Sequence, residues 1–93
     1  MPTVGAEINR RVSEILKVCM ELQKFGVDAF FECCGTFLDL SVYLKGYLCS
    51  AENPDKVFFV ALTRVDLVFK ELQEIKTYLT ALLKKHSKSV HAI

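Results

Sequence analysis

Two sets of residues, one of them apolar throughout, alternate through residues 27–45, and this phase organises the reading of the whole chain. Val27, Ala29, Phe31 and Cys33 form one set, interleaved with Asp28, Phe30, Glu32 and Cys34. Beyond Gly35-Thr36 the phase resumes with Leu38, Leu40, Val42 and Leu44, interleaved with Phe37, Asp39, Ser41, Tyr43 and Lys45. Side chains of a strand point to opposite faces with period 2, so the pattern predicts two strands with one buried face. A helix would place the second apolar set at steps of roughly 200°, spreading it around the cylinder. A two-residue Gly-Thr loop of type II′ pairs Cys33 with Leu38, Phe31 with Leu40, Ala29 with Val42 and Val27 with Leu44. All four pairs are apolar and share a face, and a slip of one residue would turn one set to the other side. The same register sets Glu32 opposite Asp39, a like-charge pair.

On either side of the hairpin the period changes to that of a helix. Ile8, Val12, Ile15, Cys19 and Leu22 follow a 4-3-4-3 spacing, which predicts a first helix over residues 3–24. Thr3 is placed to cap it, and Gly26 stands where a left-handed residue commonly ends a helix. Val65, Val68, Phe69, Leu72, Ile75, Leu79 and Leu82 predict a second helix from Arg64 to His86, with Thr63-x-x-Asp66 as its capping box. Residues 57–62, Val-Phe-Phe-Val-Ala-Leu, are apolar without a break. Their shortness and Phe/Val content favour a third strand. Residues 46–55 carry turn chemistry, and Tyr47-Leu48-Cys49 would extend the second strand or fold over the core.

The expected architecture is α+β: helix, three-stranded antiparallel β-meander, helix, in two layers. Residues 1–86 make one domain and 87–93 a flexible tail. The alternative is an all-α bundle, with residues 29–48 as a middle helix and 54–85 as one long one.

Composition narrows the function classes. Ninety-three residues suit a single domain. No apolar run approaches the ~18 residues of a membrane span, and no basic segment precedes an apolar block at the N-terminus. The four cysteines, Cys19, Cys33, Cys34 and Cys49, lack the spacing of a disulfide scaffold, which implies a reduced, cytoplasmic chain. A net charge of +1 gives no reason to expect nucleic acid as the main partner.

Candidate chemistry is sparse. His86 and His91 lie at the end of the second helix and in the tail, where nothing positions a general base. There is no phosphate loop or nucleophile elbow, so no catalytic residue is assigned and the chain is read as a non-enzyme. Cys34 and Cys49 are a conceivable thiol or metal sensor. However, zinc ordinarily takes a Cys-x2–4-Cys knuckle with two further ligands, so no metal site and no cofactor are assigned. Lys84, Lys85 and Lys88 with His86 would be the nucleic-acid contact of an accessory factor, without the aromatics such surfaces interleave. The more informative feature is the outward face of the sheet. It gathers Phe30, Phe37 and Tyr43, while Val57 and Phe59 add apolar surface on a third strand at the sheet edge. Such a surface is normally covered. The expected function is that of a protein-interaction or accessory protein. It would self-associate as a homodimer through the open face or the third strand and present itself to a further protein.

The succession of residues 27–35 (Val-Asp-Ala-Phe-Phe-Glu-Cys-Cys-Gly), 38–43 (Leu-Asp-Leu-Ser-Val-Tyr), Gly46-Tyr47, an apolar strand and a Leu-rich helix resembles a set of small uncharacterised proteins of phages and prophages of Gram-positive bacteria. Tyr47 stands where that set often has Trp. The resemblance implies the helix–three-strand–helix fold and a bacterial origin, and it transfers no site residue.

Overall fold

The computed structural model describes residues 4–45 and 53–91 of the chain. Helix α1 (Val4–Gln23) leads into strands β1 (Asp28–Cys33), β2 (Phe37–Tyr43) and β3 (Lys56–Ala61), and helix α2 (Val65–His91) follows. The strands form one antiparallel sheet in the order β1-β2-β3, so the α+β meander stands and the bundle does not. No helix among the described residues is long and apolar enough to cross a membrane.

The hairpin register is the one the alternation requires: Cys33 pairs with Leu38, Phe31 with Leu40 and Ala29 with Val42. The third strand continues the phase, pairing Leu38 with Val60, Leu40 with Phe58 and Ser41 with Val57. Phe58 and Val60 therefore turn to the helices, and Val57, Phe59 and Ala61 to the other face. The helices share one side of the sheet, α1 beside β1 and α2 beside β3. Their stripes of Ile8, Ile15, Cys19 and Leu22, and of Val68, Leu72, Ile75 and Leu79, meet Leu38, Leu40, Val42 and Val60 in one core. Three strands between the helices make four chain reversals, an even number, so the two helices run parallel. The contacts between them rise together along both: Arg11 lies over Phe69 at 5.1 Å, Lys76 donates to Glu14 at 2.8 Å, and Phe25 stacks on His86 at 6.1 Å.

The end of α1 explains how the chain enters β1. Val27 N–H donates to the Leu22 carbonyl at 3.3 Å and Gly26 N–H to that of Gln23 at 3.1 Å. This is the paired bonding of a Schellman motif, with Gly26 left-handed at φ 81° and Val27 packed into the core together with Leu22. A Cβ at Gly26 would meet nothing within 4 Å, so the conformation and not the space selects glycine. Gly26→Ala is expected to lower stability by about 1–2 kcal/mol in chemical denaturation. Gly35→Ala should leave it nearly unchanged, because Gly35 also has open space and no positive φ.

Several expectations need correction. Gly35 lacks the positive φ of a type II′ turn; the loop is closed instead by Cys34 N–H donating to the Phe37 carbonyl at 3.0 Å. The β1–β2 ladder ends at Asp28 and Tyr43. Leu44 leaves the core as part of a turn, where its N–H donates to the Asp55 carboxylate at 2.8 Å. Cys33 keeps the inner register yet is exposed, because no helix covers the hairpin end of β1. Helix α2 starts at Val65 with Arg64 as its N-cap, the Arg64 carbonyl accepting from Leu67 and Val68. Thr63 therefore lies one residue too early to cap it, although Asp66 remains in the first turn. The helix also runs on to His91, past the expected end at His86, since no Gly or Pro interrupts the sequence. The cap at Thr3 and the fate of Tyr47-Leu48-Cys49 fall outside the described residues.

Candidate interaction face

The sheet face turned away from the helices is a small grid whose rows follow from the register. One row sets Glu32, Asp39 and Phe59 side by side across the three strands, and the next sets Phe30, Ser41 and Val57. Phe37 with Ala61, and Asp28 with Tyr43, close the two ends. Apolar area stands open on this face: Phe59 is 63% exposed, Val57 53% and Phe30 47%.

The aromatic rings are organised in pairs. Phe37 and Phe59 stack at 5.4 Å between centroids with 20° between planes. Phe30 and Tyr43 meet edge to face at 5.3 Å. Both arrangements are favourable for aromatic quadrupoles and hold the rings in place on the strands. Of the five residues expected on the contact surface, Phe30, Val57 and Phe59 are exposed and Phe37 is half-buried. Tyr43, in contrast, is buried at 8% exposure. It shapes the face through Phe30 and offers little area of its own.

Between the two pairs lies the feature that sequence reasoning caught only in part. Asp39 sits in the middle of the central strand with Glu32 on one side and Phe59 on the other. Its Oδ1 is buried without a hydrogen-bond partner among the described residues. Such an acceptor carries a desolvation cost until a donor reaches it. The like-charge Glu32–Asp39 pair was legible from the hairpin. The walling-in of one oxygen was not, because it depends on where Phe59 falls. Among the described residues no strand position on this face is a Lys or Arg; Lys56 takes the inner register, opposite Val42, and its Nζ lies over Phe58 at 5.2 Å.

Other candidate groups are arranged differently. Arg10 bonds Glu7 and Glu14 at 2.5 Å, and Arg11 bonds Glu7 at 3.1 Å. The two arginines hold the Glu7 carboxyl down at about 2. Arg10, Arg11, Glu14 and Lys76 line a cleft between the helices, and each of its three cations is paired with Glu7 or Glu14. No group of three or more His, Cys, Asp or Glu side chains fit to hold a metal is found among the described residues. Cys49 lies outside the described residues, so the Cys34–Cys49 pairing has no geometry to describe.

The remaining thiols differ sharply. Burial pushes Cys19 up to about 11, and burial followed by the neighbouring Cys34 raises Cys33. Cys34 is lowered, first by the Thr36 hydroxyl 3.3 Å from its sulfur and then by the backbone amides of Thr36 and Phe37. The thiolate is the reactive form. Iodoacetamide at neutral pH is therefore expected to label Cys34 ahead of Cys33 and leave Cys19 unmodified in the folded protein, as read by peptide mass spectrometry.

No protein-family model matches the chain, and no curated protein or solved structure does.

Proposed function

We propose that this chain is a non-catalytic interaction protein, working as a homodimer and offering its open sheet face to a protein partner. The observation that carries the reading is the orphaned Asp39 oxygen set between stacked, exposed aromatics. Aromatic area supplies a hydrophobic anchor, and a half-buried carboxylate with an unused lone pair supplies a directional one.

Charge selects the partner's chemistry. Glu32 and Asp39, side by side, give the centre of the face one sign, so stacking two such faces would bring like charges together. A partner segment with apolar side chains around a Lys or Arg is complementary. This leaves the homodimer to form elsewhere on the molecule, and the open face to the second protein. An accessory role of this kind suits the resemblance to small phage proteins.

An amphipathic Leu/Lys peptide is a suitable probe. Titrated into labelled protein, it should move the amide resonances of Asp39, Phe59 and their strand neighbours, with saturation in the micromolar to millimolar range. Phe59→Ser and Asp39→Asn should each weaken binding at least tenfold while leaving the protein folded. Phe59→Ser should cost about 1–2 kcal/mol through its stacking on Phe37, and Asp39→Asn less than about 1 kcal/mol, since Oδ1 has no partner among the described residues to lose. Shifts confined to the helices, or equal binding by both variants, would contradict the reading.

A further inference from the structure

We infer that the homodimer forms through the outer edge of β1 together with the adjoining flank of α1, joining two three-stranded sheets into one of six strands. This inference rests on the homodimer reading above and adds where its seam runs.

Strand β1 pairs with β2 on one side, and no strand among the described residues pairs with its other edge. It lacks three of the devices that keep edges from pairing: its sequence, Asp-Ala-Phe-Phe-Glu-Cys, holds no Lys or Pro, and its ladder to β2 runs without a bulge, which leaves Asp28 and Glu32 as its only charges. The opposite edge differs. Strand β3 starts with Lys56, whose ammonium lies over Phe58 and Tyr78 at 5.2 and 5.9 Å, and a lysine there obstructs pairing.

The helix above β1 points to the same seam. At about 100° per residue, Asn9, Val12, Leu16, Met20 and Gln23 fall on one flank of α1, and none is charged. The charges of the helix, Glu7, Arg10, Arg11, Glu14, Lys17 and Glu21, lie on the remaining surface. The uncharged flank is the one beside the β1 edge. Met20 and Gln23 line a hollow with Asp28, Ala29 and Phe30, and Leu16 lines another with residues 29–32. Leu16 is 42% exposed and Met20 61%, so apolar surface continues from the helix across the edge to Phe30.

A second copy fits this strip because the strip is self-complementary. Antiparallel pairing about a two-fold axis normal to the sheet keeps each face continuous only when opposed residues share a face. Centred on Phe31, it sets Phe31 against the partner's Phe31, Ala29 against the partner's Cys33, and Phe30 against the partner's Glu32. Centring on Phe30 would oppose Asp28 to the partner's Glu32, which like charge disfavours. In the Phe31 register the two α1 flanks meet above the seam, Leu16 and Met20 of each copy closing over the paired Phe31 rings. Both open faces remain free and lie side by side.

Light scattering on the full chain at about 100 μM decides the matter. The wild type and Phe59→Ser should both show twice the 10.5 kDa chain mass. Leu16→Lys and Met20→Lys, at exposed positions and with unchanged far-UV circular dichroism, should fall to the single-chain mass. A wild type at the single-chain mass would overturn the dimer while leaving the peptide-binding face untouched. A dimer that survives both lysines would overturn this seam, and loss of the dimer in Phe59→Ser alone would move it to the open face.

Discussion

Leu40→Asp should abolish folding, giving a chain without a cooperative thermal transition or dispersed amide resonances. Leu40 is fully buried at the centre of the middle strand, between Phe31 and Phe58. An aspartate there removes most of a leucine's burial, worth about 2–5 kcal/mol with the cavity term. It also places a carboxylate where the surrounding core supplies no cation, a cost of several kcal/mol more even if the group stays protonated. Domains of this size hold on the order of 5–10 kcal/mol in total, so the sum exceeds what is available. The alternating pattern alone assigns the same fate to Phe31→Asp, because Phe31 and Leu40 are partners in the register. The structure separates them. Phe31 is half-buried on the edge strand of the single chain, so in the isolated subunit its aspartate can reach water, and that variant should lose the dimer and be destabilised rather than unfolded.

Ile75→Ala should lower stability by about 2–5 kcal/mol and the melting temperature by at least about 10 °C, measured by calorimetry. Ile75 is fully buried on α2, in the layer where the helices cover the sheet. Parallel helices tied at Arg11–Phe69 and Phe25–His86 cannot close on the resulting cavity without shifting along their length. Leu16→Ala is the matching control, since a side chain 42% exposed should change stability by less than about 1 kcal/mol in the isolated subunit.

The sequence carried the register of the hairpin because two alternating sets had to agree at several pairs at once. It carried the parallel helices implicitly, as a consequence of an odd number of strands. What it could not carry is how far each helix reaches over the sheet. That reach leaves Cys33 exposed although its register points inward, and it leaves apolar Leu16 and Met20 uncovered beside β1. The β3 phase was equally hidden, since six consecutive apolar residues fit either face. Only pairing with β2 sends Phe59 outward, where it stacks on Phe37 and walls in Asp39. The candidate face was thus half legible: its aromatic character from the hairpin, its central acceptor from the tertiary structure.

Exposure alone does not make a contact surface, and Val65 gives the comparison needed to show it. Val65 at the start of α2 is 54% exposed, close to the 63% of Phe59, yet it lies away from the open face. A photo-reactive phenylalanine analogue placed at either position, with irradiation in cells that carry the protein, tests the account most directly. At Phe59 it should yield one discrete covalent adduct with a second protein, lost when Asp39→Asn is added, and at Val65 none. Adducts of the same kind at both positions, or none at Phe59, would contradict the assignment of function to the open face.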